Sequence, residues 1–364
     1  MEYCTRFAGV AAAGIASVML LAACGGGSSA GGSGDAQSSS PETSGAAASG
    51  PSSSSAPKDV KIGLIQEARP EVEPWSAAWH NSLEAVKAEN PGLTYTETFD
   101  AYDATRAEPV IRQMLDDGAN VMLMSTFVLA DAAKSVAKAY PTVPMLVTAF
   151  GTLQDPNLNS GSASYLEIGY STCWLLSKLS PDGRIGIVNA VGAPFEVEIT
   201  QGCELGGKAA NPKFQATTLS TNSFTDVQAS REQVQALLDQ GIKQIYLLSS
   251  TEDSVGGMRL CDEAKAQCAT WGGDGREWSP NGMVLTVNLD WSGVIKDLIS
   301  QSENGLKKPT TYNLTYGSGG LKALNYSDSP SVSPEVRAEF EQVLADLAST
   351  KITLPESSAH PGLR

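Results

Sequence analysis

From Val60 onward, short apolar runs rich in β-branched residues alternate with longer stretches whose apolar positions recur at helical spacing. The run "VKIGLIQE" predicts a buried strand, and "PWSAAWHNSLEAVKAEN" predicts a helix with Pro74 in its first turn. Strands that alternate with helices are typical of parallel sheets with right-handed crossovers, and therefore of an α/β fold. The pattern predicts these further elements, in chain order: strand "LTYTETFDA", helix "AEPVIRQMLDDG", strand "NVMLMST", helix "LADAAKSVAKAY", strand "PMLVTAF", strand "RIGIVNAVG", helix 196–210, strand "FQATTLST", helix "VQASREQVQALLDQG", strand "QIYLLSST", helix 258–266, strand "CATWGGD" and a C-terminal helix near 334–349.

The chain contains an internal repeat of this pattern. "MLDDGANVMLMS" at 114–125 is similar to "LLDQGIKQIYLLS" at 237–249, since each has a helix end, a glycine, an apolar strand and a serine. The repeat predicts two similar α/β lobes. Ligands of such sheets bind beyond the carboxyl ends of the strands, so the cleft between the lobes is the predicted binding place. The residues that follow the predicted strands are the candidates for ligand contacts: Gln66, Glu67, Ser125, Thr126, Phe127, Phe150, Asn189, Asn222, Ser223, Phe224, Thr251, Glu252, Asp253, Gly273 and Asp274.

The first residues have the parts of a bacterial export signal. Arg6 gives a positive start, and "AGVAAAGIASVMLL" gives an apolar core too short to span a bilayer comfortably. "LAAC" resembles a lipobox, so residues 1–23 are predicted to be removed and Cys24 to be lipidated. A diacylated cysteine would anchor the chain on the extracytoplasmic side of the cell membrane. The alternative is an ordinary signal peptide with an incidental cysteine.

The tract from Cys24 to residue 58 consists mainly of Gly, Ser, Ala and Pro. It has too few apolar side chains to form a core, so we expect a disordered tether between the anchor and the folded part. The ordered part then has about 300 residues, which suits two lobes of ordinary size.

Charge and cysteine content narrow the class of protein further. The formal net charge is −15, which argues against nucleic acid or an anionic membrane surface as a partner. Two disulfides are predicted because an even number of cysteines remains in an oxidising compartment, and Cys173–Cys203 with Cys261–Cys268 is the favoured pairing of three. The alternative is four buried free thiols. A zinc site is not expected, because paired CxxC motifs are absent and the two histidines are far apart in sequence.

Catalytic chemistry has little support in the sequence. The histidines are His80, on a predicted helix, and His360, in a C-terminal tail that is predicted to be loose. Nucleophile elbows, Walker loops and dinucleotide-binding glycine motifs after a strand are absent. Glu252 and Asp253 offer a carboxylate pair for acid–base work, although solvated loop charge is the commoner explanation. No cofactor is expected.

Ligand binding has better support, from aromatic side chains near strand ends and helix starts. Trp75, Phe127 and Phe224 fall at such places, and rings from opposite lobes are suited to holding a flat ligand between them. Asp274 follows a strand between glycines, and its carboxylate is able to accept two hydrogen bonds from a vicinal diol. The alternatives are core packing for the three rings and a turn or helix cap for Asp274.

Several segments resemble the basic membrane protein family of lipoproteins, which are substrate-binding components of ABC importers related to purine-nucleoside receptors. They are "VIRQMLDDGANVMLMSTFVLADAAKSVAKAYP", "RIGIVNA", "TNSFTD" followed by "VQALLDQG", and "GGLKAL". The resemblance covers essentially residues 60–354. It implies the type I periplasmic-binding-protein fold, with two Rossmann-like lobes, three crossovers and a ligand cleft at the hinge. The implied boundaries are 59–166 with 290–312 for the first lobe, 167–289 with 313–354 for the second, and a loose tail at 355–364.

The resemblance also implies a function and a set of ligand contacts. A nucleoside-like molecule is captured as the lobes close and is delivered to an ABC permease, by a protein expected to be a monomer and not an enzyme. Trp75, Phe127, Phe224 and Asp274 match the family's aromatic and sugar-binding positions. The full set of expected ligand-binding residues is Trp75, Phe127, Phe224, Asp274, Asn222, Ser125, Thr126, Asp131 and Glu71.

The chain departs from the family pattern at two places. The stretch before Trp75 reads "PEVEPW", so Glu71 and Glu73 stand where the family often has an Asn-Asp or Asp-Asp pair that reads a purine edge. Leu289 stands in place of the lysine before "DW". These departures leave open a different base, a modified nucleoside or another flat polar ligand. Two further hypotheses are a sensor or co-receptor of the same fold, and an exported nucleoside or glycoside hydrolase that uses Glu252, Asp253 or Asp274.

Overall fold

The computed structural model describes residues 59–99, 101, 103–357 and 360–362. The predicted signal peptide, Cys24 and the tether lie outside these residues. In the described part, twelve strands form two six-stranded sheets, each at the centre of one lobe. The predicted α/β class is therefore confirmed.

The first sheet has the strand order β11-β5-β4-β3-β1-β2, and all of its strand pairs are parallel. Its strands are β1 (Lys61–Ile65), β2 (Thr94–Thr98), β3 (Val121–Met124), β4 (Met145–Val147), β5 (Leu158–Ala163) and β11 (Thr311–Leu314). Strands β1, β3, β4 and β5 have buried side chains at nearly every position, as expected for a parallel sheet covered on both faces.

The second sheet has the order β12-β10-β9-β8-β6-β7, with only β12 antiparallel to its neighbour among these strands. Its strands are β6 (Arg184–Asn189), β7 (Gln215–Ser220), β8 (Gln244–Leu247), β9 (Gln267–Gly272), β10 (Met283–Leu289) and β12 (Leu321–Leu324). The helices of the described part are α1 (Pro74–Glu89), α2 (Ala104–Asp116), α3 (Ala130–Ala139), α4 (Tyr165–Leu179), α5 (Pro194–Ala210), α6 (Val227–Asp239), α7 (Glu252–Ala264), α8 (Ser292–Asn304) and α9 (Pro334–Ala348). None of these helices combines the length and the apolar character needed to cross a bilayer.

The chain passes between the lobes three times, from β5 to α4, from β10 to α8 and from β11 to β12. Helix α8 packs against α1 and β3 of the first lobe, and α9 packs against α4 of the second. Strand β11 ends at Leu314, two residues beyond the boundary expected from the resemblance. These three connections form the hinge.

The internal repeat corresponds to equivalent parts of the two sheets. Strand β3 lies beside β1 in the first sheet, and β8 occupies the same place beside β6 in the second. The glycine in each repeat, Gly118 or Gly241, has a positive φ of 97° or 78°. A left-handed residue there ends the helix, as the amide that follows it bonds back to the last helical turn.

Six elements of the described part are absent from the sequence predictions: β5 and α4 at the first crossing, and β10, α8, β11 and β12 later in the chain. Strand β5 reads "LNSGSA", and its small polar residues give none of the apolar signal expected of a strand. All six residues are nevertheless buried between β4 and β11. The sequence-based boundaries are also late for α2 and α7, which begin at Ala104 and Glu252.

Helices α4 and α5 pack at very short distance, and the predicted disulfide Cys173–Cys203 joins them. A Cβ atom added at Gly202 would lie 2.2 Å from the carbonyl oxygen of Leu166, so this contact requires glycine. The second predicted disulfide, Cys261–Cys268, joins α7 to β9. The favoured pairing of the four cysteines is therefore confirmed.

The C-terminal tail 355–364 is not loose in its described part, which corrects the expectation. The ring of His360 lies 4.7 Å from that of Phe150 in the first lobe and 5.2 Å from that of Tyr165 at the hinge. Its Nδ1 atom is also hydrogen-bonded to the buried carboxylate of Glu198 on α5. Aromatic packing and this polar contact hold the tail against the hinge.

Candidate functional site

The amino-terminal end of α1, in the first lobe, contacts the second lobe directly. The Trp75 amide donates to the carbonyl oxygen of Ser250 at 3.0 Å, and the Gly273 amide donates to that of Pro74 at 2.7 Å. Gly273 has no side chain to obstruct this approach, since a Cβ atom there would lie 2.7 Å from that of Ala77. The "WGGD" segment of the sequence thus allows close contact between the lobes.

Beside this contact, at the carboxyl ends of the strands, lies a cleft of about 600 Å³ including its open mouth. The cleft is lined by Glu67, Trp75, Ser125, Thr126, Phe127, Val128, Thr148, Tyr165, Phe195, Phe224, Ser249, Thr251 and Trp271. Both lobes contribute, as the predicted position between them requires.

A continuous series of aromatic rings forms one wall of the cleft, which we call the aromatic wall: Trp75, Trp271, Tyr165, Phe195 and Phe224. Trp271 contacts Trp75, Tyr165 and Phe195 edge to face, with ring centroids 5.8, 5.8 and 5.9 Å apart. Phe195 and Phe224 lie nearly parallel at 6.4 Å. The wall offers a large apolar surface whose rings hold one another in place.

Phe127 enters the cleft from the first lobe and is half exposed at 51%. It begins a short 3₁₀ turn that ends at Leu129, and Thr126 caps this turn by accepting from the Val128 amide. Trp75, by contrast, is fixed, because its Nε1 donates to the Ser125 carbonyl oxygen at 2.9 Å. The cleft therefore combines a rigid apolar surface with an aromatic ring that is free to contact solvent or ligand.

The polar groups of the cleft are Glu67 and several hydroxyls. Glu67 is 8% exposed and hydrogen-bonds to the hydroxyl of Thr126; burial raises the pKa of its carboxyl to about 7. The Ser125 Oγ atom is buried and has no hydrogen-bond partner among the described residues. These atoms are free to accept hydrogen bonds from a bound molecule.

Two buried carboxyls lie behind the lining. Burial, followed by the nearby charges of Glu67 and Glu252, raises the pKa of Glu73 to about 8, and its Oε1 accepts from Ser76 at 2.5 Å. Asp253 is not a solvated loop charge, which corrects that interpretation, because it is fully buried.

Asp253 accepts from three hydroxyls, those of Ser249 at 2.8 Å, Thr251 at 2.7 Å and Thr221 at 3.1 Å. Burial raises the pKa of Asp253 to about 6, although these hydrogen bonds oppose the shift. Since Ser249 and Thr251 line the cleft, Asp253 orients part of its polar surface.

Five of the nine predicted ligand-binding residues line the cleft, namely Trp75, Ser125, Thr126, Phe127 and Phe224. The other four lie outside the lining. Glu71 and Asp131 are exposed, the first before α1 and the second on the first turn of α3. Asn222 is exposed in a left-handed turn with φ 57°.

Asp274 has a local structural role instead of a position in the cleft. Its Oδ1 atom accepts from the Arg276 amide at 3.0 Å and from the Asn325 side chain at 2.8 Å. It therefore caps the short turn 275–277, which was the alternative explanation for this residue.

Three residues of the aromatic wall were not among the sequence-predicted candidates, namely Tyr165, Phe195 and Trp271. Tyr165 starts the unpredicted helix α4, and Phe195 is the second residue of α5 after Pro194. Trp271 lies inside the apolar strand β9, where an aromatic residue suggests core packing. Among the described residues, no group of three or more His, Cys, Asp or Glu side chains is arranged to hold a metal ion.

Comparison with known proteins relates the chain to transport. Residues 60–308 match the Bmp family, described as ABC transporter substrate-binding protein PnrA-like. A purine-binding protein of Brucella abortus is 22% identical over 79% of this chain and 81% of its own length. A putative ABC transporter glucose-binding protein of Haloferax volcanii is 23% identical over 75% of this chain and 69% of its own length.

Solved structures support the fold. An ABC transporter solute-binding protein from Conexibacter woesei superposes with a TM-score of 0.70. It is 21% identical, and the match covers 81% of this chain and 98% of that protein. The two-lobed fold implied by the sequence resemblance is therefore confirmed.

Proposed function

We propose that this chain, which belongs to the Bmp family of PnrA-like ABC transporter substrate-binding proteins, holds a purine-nucleoside-like molecule between its lobes and delivers it to the permease of an importer. The observation that carries this proposal is the aromatic wall, with Phe127 entering the same cleft from the first lobe. A nucleobase stacked on such rings gains about 1–3 kcal/mol per ring.

The geometry favours a flat, mostly apolar ring over a polyhydroxylated ligand. A sugar needs many hydrogen-bonding side chains around its hydroxyls, whereas this lining is mainly aromatic with a few hydroxyls and Glu67. The similarity to the purine-binding protein of Brucella abortus supports this preference for a flat ring. The similarity to the putative glucose-binding protein of Haloferax volcanii makes a sugar the competing class of ligand.

Substrate-binding proteins capture a solute without changing it, so the chain is not assigned a hydrolytic role. Two of the three carboxylates named for hydrolysis have other partners. Asp253 accepts from three hydroxyls, and Asp274 caps a turn outside the lining.

We further propose that Cys24 carries the lipid anchor and that the folded part faces the extracytoplasmic side of the membrane. The export signal and the lipobox in the sequence support this location. The two disulfides agree with an oxidising compartment. Mass spectrometry of the membrane-extracted protein tests the anchor, since an N-terminal diacylated cysteine has a defined added mass.

The ligand is tested on residues 57–364 by thermal shift and then calorimetry with adenosine, guanosine, inosine, thymidine, adenine and glucose. A ligand that binds only the folded state stabilises it by about 2.7 kcal/mol at a hundred times its Kd. Stabilisation by purine nucleosides and not by glucose is the expected result. Stabilisation by glucose alone would overturn the proposed ligand class and leave the family assignment intact.

A further inference from the structure

The charge of the cleft is one-sided. Glu67 is the one carboxyl in its lining, and the described lining residues include no lysine, arginine or histidine. The remaining polar groups are hydroxyls, two of which belong to Ser125 and Thr126 beside Glu67. A ligand with an anionic group would therefore meet a buried carboxylate with no compensating cation.

Glu67 has spare capacity to accept hydrogen bonds. A carboxylate has about four lone-pair positions, and the Thr126 hydroxyl is the hydrogen-bonding side chain that affects its pKa. In the described part of the chain, no ion pair reaches this carboxyl, although it is only 8% exposed. The unpartnered, buried Oγ of Ser125 adds another acceptor in the same lining.

We propose that Glu67 determines ligand specificity by accepting hydrogen bonds from two adjacent N–H groups on the edge of the bound ring, as the N1–H and 2-amino groups of guanine present. This inference rests on the proposed function, because it takes a purine-type ring to lie in the cleft. Two parallel N–H···O bonds to one carboxylate are charge-assisted and fix the orientation of the ring.

Adenine presents a different edge, in which an amino donor lies beside a ring nitrogen that accepts. That nitrogen would face a carboxylate oxygen, so an ionised Glu67 disfavours adenine. A glutamine at this position presents one acceptor and one donor, which complements adenine as Gln does in DNA recognition. The exchange of Glu for Gln should therefore change which base is preferred and not merely weaken binding.

The surroundings of Glu67 make this contact sensitive to pH. The groups that interact electrostatically with it are Glu73 and Tyr165. Burial raises the pKa of Tyr165 far above neutrality, so this phenol stays uncharged. Because the pKa of Glu67 is about 7, guanosine should bind more tightly at pH 8 than at pH 6. The variant Glu67→Gln should lose that dependence, and Glu73→Gln should retain it.

The test is calorimetry at pH 8 with guanosine, inosine and adenosine on the wild type, Glu67→Gln, Glu67→Asp and Glu204→Gln. In the wild type, guanosine should bind tighter than inosine, which lacks the 2-amino group, and about tenfold to a hundredfold tighter than adenosine. Glu67→Gln should weaken guanosine by a similar factor while adenosine binds at least as well. Glu67→Asp retains the carboxylate and should still bind guanosine more tightly than inosine or adenosine. Glu204→Gln, a change of the same charge on the exposed face of α5, should match the wild type.

Two results would overturn the inference while leaving the proposed function in place. The first is a wild type that binds adenosine more tightly than guanosine. The second is a Glu67→Gln variant whose ratio of the Kd for guanosine to the Kd for adenosine stays within twofold of the wild-type ratio. Absence of binding by every purine nucleoside would overturn both proposals. If Glu67→Gln does not give a cooperative melting curve, the wild-type order and the Glu67→Asp variant decide the question.

Discussion

The amide of Gly273 donates to the carbonyl oxygen of Pro74 at 2.7 Å, and this hydrogen bond joins the two lobes beside the ligand cleft. Pro74 begins α1 in the first lobe, whereas Gly273 follows β9 in the second. Trp75, the next residue on α1, both bonds to Ser250 of the second lobe and lines the cleft. The start of α1 therefore both joins the two lobes and contributes Trp75 to the aromatic wall.

We expect Gly273→Ala to weaken ligand binding about tenfold or more. The added Cβ would lie 2.7 Å from that of Ala77 and 2.9 Å from the Pro74 oxygen, so the lobes would have to move apart. Calorimetry with the best nucleoside measures the effect. Gly293→Ala on α8 is the control, because a Cβ there meets no atom within 4 Å. An unchanged Kd in Gly273→Ala would show that this approach is dispensable.

Phe224→Ala should raise the Kd for a nucleoside by about tenfold or more, the lower part of the range for loss of one stacking ring. Phe224 extends the aromatic wall at its contact with Phe195. Phe99→Ala removes a partly exposed ring that lies outside the cleft lining and should leave the Kd unchanged. Equal affinities for Phe224→Ala and the wild type would remove Phe224 from the binding site.

The free energy of unfolding should fall as the pH rises from about 4.5 to about 8. The pKa values of Glu67 and Glu73 are raised by burial to about 7 and 8, so in this range the folded chain holds protons that the unfolded chain has lost. Glu73→Gln removes one such proton, and its stability relative to the wild type should increase with pH. Urea denaturation at pH 5, 7 and 9 measures this, with the exposed Glu204→Gln as control. If the free energy of unfolding changes with pH in the same way in Glu73→Gln and the wild type, Glu73 does not have the raised pKa given above.

Loss of the disulfide between α4 and α5 should destabilise the chain more than loss of the one between α7 and β9. The sequence separations are 30 and 7, which correspond to about 4 and about 2.5 kcal/mol of loop-closure free energy. The double variants Cys173→Ala/Cys203→Ala and Cys261→Ala/Cys268→Ala provide matched tests by chemical denaturation. The reverse order of stability would indicate that strain or residual unfolded structure outweighs loop length.

Sequence reasoning predicted most elements with a clear apolar period, although it missed the apolar strand β10 and the amphipathic helix α8. It identified Phe127 and Phe224 because large rings in polar loops have little reason to serve the core. It did not identify Tyr165, because the helix that this residue begins follows β5, a strand of small polar residues that gives no apolar signal. Trp271 was missed for a different reason. It lies within the apolar strand β9, where the sequence pattern indicates core packing, and only the position of the other lobe shows that its ring lines the cleft.

Asp274 has hydrogen-bond partners that its local motif does not show. The residue is present at the matching place, but its carboxylate is engaged by Arg276 and Asn325. Partners that come from distant parts of the chain, such as Asn325 on the loop after β12, are not visible in a local motif. The packing of the C-terminal tail was missed for the same reason, since His360 meets residues from three separate segments.

The aromatic wall also makes the intrinsic tryptophan fluorescence of the protein sensitive to ligand binding in the cleft. Trp75 and Trp271 line the cleft, whereas Trp79 and Trp291 are stacked on each other at 4.2 Å in the core. A base that stacks on the first pair alters their emission, against the background of the buried tryptophans outside the lining, which are Trp79, Trp174, Trp278 and Trp291. Fluorescence titration therefore follows capture without a label, and single replacements of Trp75 or Trp271 by Phe show which of these two rings gives the signal.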